Sequence, residues 1–75
     1  MQYFVWYDDN PKKPASDKLQ EAIAAYTVRF SAAPNLALVN TADQIATSNV
    51  AVRYERTVQP NSFWLAFEDA DRPAA

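Results

Sequence analysis

Glycine is missing from this chain of 75 residues, and its absence limits the possible folds more than any residue that is present. Wherever the backbone needs a positive φ angle, another residue has to adopt it, and asparagine tolerates that conformation best among the remaining types. We expect the asparagines at the predicted element boundaries to act as glycine substitutes: Asn10, Asn35, Asn40, Asn49 and Asn61. The absence of glycine also excludes Gly-rich phosphate-binding loops.

Cysteine and histidine are absent as well, which narrows the available chemistry. The chain can form no disulfide or thiolate site, and it lacks the usual zinc ligands and the most common acid–base catalyst. A net charge of −2 and a pI near 4.8 argue against binding of nucleic acid through a basic face. We therefore predict no cofactor and favour a protein over a nucleic acid as the partner.

The length predicts one small domain over residues 1–68, followed by a flexible acidic and proline-containing tail at 69–75. No apolar run approaches the roughly 20 residues that a membrane span needs. The N-terminus also lacks the pattern of a signal peptide. These features predict a cytoplasmic location and no contact with membranes.

The hydrophobic pattern predicts a small α/β (α+β) domain with the element order β-α-β-(short α)-β-β. The continuous aromatic and β-branched run at 3–7 is typical of a strand that is covered on both faces or central in its sheet. A helix is expected at 17–30 with Ser16 as its N-cap, then a strand at 36–39. The Thr41-to-Gln44 spacing predicts a short helix at 42–47, and alternation predicts strands beginning near 50 and at 63.

These elements predict a mixed four-stranded sheet with the long helix packed on one face. We expect the first two strands to be parallel and joined by a right-handed crossover. We expect the last two strands to form an antiparallel hairpin. A single long helix rarely covers both faces of a sheet, so the other face should be open.

The side chains predicted to lie on the open face suggest a binding surface. We expect Phe4 and Trp6 to point toward the helix, together with Phe63, Leu65 and Phe67. The outer face would then carry the following residues: Tyr3, Val5, Tyr7, Ala37, Ala51, Arg53, Trp64 and Ala66. Exposed aromatic and arginine side chains are typical of protein interfaces. We therefore predict a non-catalytic protein-binding module that contacts another protein or its own copy through Tyr3, Tyr7, Arg53 and Trp64.

Two other functions are compatible with the sequence. If the first two strands are parallel, Asp8, Asp9 and Asp43 follow strand ends at one edge of the sheet, where a Mg²⁺-dependent phosphate-handling enzyme could hold its metal, with Lys13 as an anion partner. Alternatively, the aromatic open face could stack the bases of single-stranded nucleic acid. The sequence does not identify a small-molecule ligand.

Two short stretches resemble known families. The sequence YDDNP at 7–11 resembles the acidic pair ending the first strand of response-regulator receiver domains, which implies a Mg²⁺ site at Asp8 and Asp9. The chain has residues 53–57 where a receiver carries its phosphate-accepting aspartate. The start MQYFVWYD is similar to the first strand of a family of small CRISPR-associated proteins, which ends in an aspartate, here Asp8. That family continues with adjacent antiparallel strands, which the predicted short helix separates here, so we assign the chain to neither.

Overall fold

A computed structural model describes residues 3–46 and 48–68 of the chain. In this part the elements are β1 (Phe4–Tyr7), α1 (Ala15–Phe30), β2 (Leu36–Val39), β3 (Ala51–Tyr54) and β4 (Ser62–Ala66). The strands form one four-stranded sheet in the order β1-β4-β2-β3, and α1 packs on one of its faces. The predicted α/β domain with one main helix on an open mixed sheet is confirmed, whereas the predicted tail lies outside the described residues.

Strand β4 occupies the centre of the sheet between β1 and β2. It pairs antiparallel with both of them, so β1 and β2 run in the same direction, as predicted, but are not neighbours. Strand β3 lies on the other side of β2 and is parallel to it. The predicted hairpin of the last two strands is wrong, because β2 separates β3 from β4.

The connection at 55–61 leads from β3 past the end of β2 to β4, so the chain does not turn back into a hairpin. Neighbouring strands are only about 4.8 Å apart, and a loop of this length can therefore reach the other side of β2. Val58 lies in this loop and is buried. The Asn40 side chain, just after β2, donates a hydrogen bond from Nδ2 to the Val58 carbonyl at 2.7 Å. The burial of Val58 and this hydrogen bond hold the loop across the end of β2.

The expected central position of the first strand is also wrong, since β1 is an edge strand. Phe4 and Trp6 pack against the core, as predicted. Val5 and Tyr7 point to the opposite face and are 52% and 53% exposed. A run of apolar residues normally indicates a strand covered on both faces. Here only one face and one edge of the strand are covered.

The short helix predicted at 42–47 is absent from the described residues 41–46, which form turns and bends. The first amides of this segment bind Asn40 as they would at a helix start, but the later amides bind side chains from other elements. The Ala42 amide donates to Asn40 Oδ1 at 2.8 Å, and the Ile45 amide donates to the Tyr54 hydroxyl at 3.1 Å. The Ala46 amide donates to Ser16 Oγ at 3.0 Å. The Ile45 and Ala46 amides, which in a helix would bind the carbonyls four residues earlier, are thus bound by side chains of β3 and α1.

The ends of α1 correct two further predictions. Pro14, rather than Ser16, is the N-cap, and Ser31 ends the helix in the left-handed conformation with φ of 56°.

The asparagines expected to replace glycine do so at one described position only, because among them only Asn61 has a positive φ, at 69°. Asn10 and Asn40 instead accept hydrogen bonds from the amides two residues later, which is how asparagine stabilises turns.

The core lies between α1 and the inner face of the sheet. Its buried side chains are Leu19, Ala22, Tyr26, Ala37, Val39, Phe63 and Leu65. Ala37 was expected on the outer face, so that expectation is wrong. Phe67 was expected in the core but follows the end of β4 and is 57% exposed. No helix among the described residues is long and apolar enough to cross a membrane.

Candidate functional site: the outer sheet face

The face of the sheet opposite α1 is built from alternate residues of all four strands. The cross-strand pairing places Val5 opposite Trp64, Trp64 opposite Leu38, and Leu38 opposite Arg53. The adjacent row contains Ala66, Leu36 and Ala51. Because side chains alternate between faces along a strand, these residues share the face that lacks the helix. The described part of this face is mainly apolar.

This face is exposed at both edges, at Ala51 and Arg53 of β3 and at β1, but its exposed large apolar side chains lie at β1. Leu36 and Ala66, near the middle of the sheet, are buried, whereas Tyr3 is 38% exposed and Val5 and Tyr7 more so. The Tyr3 and Trp64 rings are in contact, with centroids 5.5 Å apart and planes inclined at 56°. This geometry lies within the favourable range for aromatic pairs. We call Tyr3, Val5, Tyr7 and Trp64 the outer aromatic patch.

Arg53 lies on the same face but outside this patch. Leu38 of β2 separates it from Trp64, which puts the two backbones about 10 Å apart at ordinary strand spacing. The Arg53 guanidinium forms an exposed ion pair with Glu68 at 3.5 Å. Three of the four predicted contact residues are therefore brought together, while the arginine stands at the other side of the sheet.

The acidic residues proposed as a metal site have other contacts. Asp8 accepts a hydrogen bond from the Asn10 amide at 3.0 Å, and its other oxygen lies 3.7 Å from Lys13. Asp43 accepts a hydrogen bond from the Asn61 amide at 2.7 Å. Asp9 is exposed. The described residues contain no group of three or more acidic side chains arranged to hold a metal ion.

Lys13, the proposed anion partner, is engaged with carboxylates. Its ammonium group donates a hydrogen bond to Glu21 and also forms the ion pair with Asp8. The Glu21 carboxylate is the main cause that raises the pKa of Lys13 above its ordinary value of 10.5. Lys13 therefore stays charged at neutral pH, with its charge directed toward Glu21 and Asp8.

A buried polar cluster at this end of the sheet was not foreseen from the sequence. Lys18, in the first turns of α1, is only 5% exposed and donates from Nζ to Asn61 Oδ1 at 3.1 Å. Asn61 also accepts a hydrogen bond from the Asp8 amide through its carbonyl at 3.0 Å. The cluster joins β1, α1, β4 and the loop after β2. The signal in the sequence was that Lys18 stands four residues before Ala22 and eight before Tyr26, on the same face of the helix.

Comparison of the chain with protein-family models, with curated proteins and with solved structures finds no match. Function therefore has to be inferred from the geometry of the chain itself. Its most distinctive exposed feature is the outer aromatic patch.

Proposed function

We propose that this protein is a small binding module that contacts another protein through the outer aromatic patch. The observation that carries the proposal is the exposure of Tyr3, Val5 and Tyr7 on a sheet face without a covering helix, next to Trp64. Burying an exposed apolar side chain contributes roughly 1.5–3 kcal/mol. A chain of this size has a small core, so covering these exposed side chains with a partner would add appreciably to its stability.

The composition of the patch supports a protein partner over a nucleic acid. Tyrosine and tryptophan are the residue types that most often dominate interface energetics. Among the described strand residues of the outer face the one cation is Arg53, and it is paired with Glu68. Binding of nucleic acid depends on basic groups that neutralise phosphates. An apolar protein surface suits the patch better.

A double substitution tests the proposal. We expect Tyr7→Ser with Trp64→Ser to weaken binding to the physiological partner, or self-association, by about 30-fold or more, because truncating hot-spot residues costs about 2 kcal/mol or more. Binding would be measured by titration calorimetry once a partner is identified, and self-association by light scattering.

The matched control is Val28→Ser, which removes a similarly apolar side chain from the exposed surface of α1, where Val28 is 84% exposed. Circular dichroism of each variant shows whether the fold is retained. A folded double variant that binds and associates as the wild type does would contradict the proposal.

A further inference from the structure

We infer that the partner of this surface is a second copy of the chain, joined through the free edge of β1 in an antiparallel strand pair about a two-fold axis. The inference rests on the proposed function, because the outer aromatic patch belongs mostly to β1. It adds the identity of the partner and the backbone geometry of the contact.

The hydrogen-bond pattern of β1 shows which backbone groups face outward. The Asp8 amide donates to the Asn61 carbonyl at 3.0 Å, in register with the rest of the β1–β4 pair. Hydrogen-bonded and non-hydrogen-bonded residues alternate along an antiparallel pair. Phe4 and Trp6 therefore bond to β4, whereas the N–H and C=O groups of Val5 and Tyr7 point away from the sheet. Among the described residues no other backbone group binds them.

The two edges of the sheet differ in how they discourage pairing. Both edge strands have four residues, so their length does not distinguish them. Natural proteins protect edges with charged residues. Strand β3 contains Arg53, whereas residues 3–7 carry no charge. Charged residues follow both strands, Glu55 and Arg56 after β3 and Asp8 and Asp9 after β1, so the difference lies within the strands themselves. The β1 edge is thus the one prepared to accept another strand.

A two-fold arrangement centred on Val5 satisfies the exposed groups of both copies. Val5 would pair with Val5 of the second copy, and Tyr3 of each copy with Tyr7 of the other, and each pair would exchange two backbone hydrogen bonds. The tyrosines would then contact across the new junction on the outer face. On the inner face Phe4 of one copy would lie opposite Trp6 of the other.

The charges that follow β1 favour the antiparallel direction. Asp8 and Asp9 come directly after the strand. A parallel pair of β1 strands would place these carboxylates beside those of the second copy, and like charges in adjacent positions are destabilising. The two-fold arrangement separates them to opposite ends. It also makes β1 a central strand, which is what its continuous apolar sequence indicates.

The experiment compares molar masses by light scattering over a range of concentrations for the wild type, Val5→Lys and Ala51→Lys. Both lysines would stand on the outer face of an edge strand and add the same charge. We expect the wild type and Ala51→Lys to approach about twice the chain mass of 8.4 kDa, and folded Val5→Lys to remain at the mass of one chain. The variant Val5→Pro should do the same, because it removes an outward N–H and leaves the bonds to β4.

A wild type that stays monomeric at every concentration would overturn the inference, and so would a folded Val5→Lys variant that still dimerises. If Ala51→Lys were monomeric at the same concentrations as Val5→Lys, the assignment of the interface to the β1 edge would be overturned. These failures are distinguishable from a failure of the proposed function. A monomeric chain whose binding to a different protein is lost in the Tyr7→Ser, Trp64→Ser variant would retain the function and exclude only the second copy as partner.

Discussion

At the scale of single residues, Asn61 has the most demanding position in the described chain. It holds φ at 69° where most proteins would use glycine, and its side chain accepts a hydrogen bond from the buried ammonium group of Lys18. Glycine could supply the conformation but not the acceptor. Asparagine thus provides both the positive φ and the acceptor for Lys18, whereas glycine would provide only the φ.

Two substitutions at Asn61 separate these contributions. We expect Asn61→Gly to lower the free energy of unfolding by about 1–3 kcal/mol, because a buried donor loses its acceptor. Asn61→Ala should lower it by about 1–2 kcal/mol more, since alanine is also strained in the left-handed conformation. Urea denaturation followed by circular dichroism measures both. If both variants lost the same stability, the backbone conformation would contribute nothing.

The direction of individual side chains was predictable wherever the sequence alternates in a way that distinguishes the two faces. Phe63 and Leu65 point inward and Trp64 outward, as expected. In β2 the sequence LALV has no polar residue to mark an outer face, and the strand is nearly buried on both sides. Ala37 was consequently assigned to the wrong face. In a strand that is buried on both sides, apolar residues occupy both faces, so the sequence does not show which side chains point toward the core.

At the scale of elements, the positions of the strands and the helix were predictable but their pairing was not. The sequence predicted a strand at 36–39 and one from about 50, and the structure contains both. Whether β4 pairs with β3 or inserts between β1 and β2 depends on the path of the loop at 55–61. That path depends on tertiary contacts of Val58 and Asn40, for which periodicity gives no signal.

The segment at 41–46 illustrates how tertiary contacts override a local helix signal. Gln44 was expected to cap a helix, but its side chain donates to the Thr41 carbonyl, and the Tyr54 hydroxyl and Ser16 Oγ bind the amides that follow. A capping pattern only predicts which donors need partners. Partners supplied by β3 and α1 satisfy the same donors without a helix.

Hydrogen exchange tests these contacts. We expect Tyr54→Phe to speed exchange of the Ile45 amide, and Ser16→Ala to speed exchange of the Ala46 amide, with a loss of about 0.5–1.5 kcal/mol of stability for each bond. Each variant is the control for the other, because the two bonds involve different donors. Unchanged exchange at Ile45 in Tyr54→Phe would show that this amide is protected by something other than the hydroxyl.

At the scale of the whole molecule, the position of β1 links the fold to the proposed interface. The strand has the sequence of a central strand but lies at an edge, with Val5 and Tyr7 exposed. The sequence-based prediction was wrong for the isolated chain, and an added strand from a second copy would make it correct. The aromatic composition of the site could therefore be predicted from the sequence. Its position at an edge of the sheet could not, because that position depends on the strand order.

The small core limits how much stability the chain can lose. In the described part of the chain few large side chains are fully buried: Phe63, Leu19, Leu36, Leu65 and Val39. A single core of a chain this short supplies only about 3–5 kcal/mol of net stability. Replacing Leu19 with alanine should cost about 2–5 kcal/mol. We expect Leu19→Ala to be largely unfolded at 25 °C, whereas Val28→Ala on the exposed side of the same helix should melt near the wild-type temperature.

The dependence of melting on concentration then connects stability to association. If dimers form through β1, binding stabilises the folded chain, so the melting temperature of the wild type should rise with protein concentration. Val5→Lys should lose that rise while Ala51→Lys keeps it. Thermal melts followed by circular dichroism at several concentrations make the comparison. A concentration-independent melting temperature in the wild type, together with a folded Leu19→Ala variant, would mean that the core alone stabilises the chain and that β1 needs no partner.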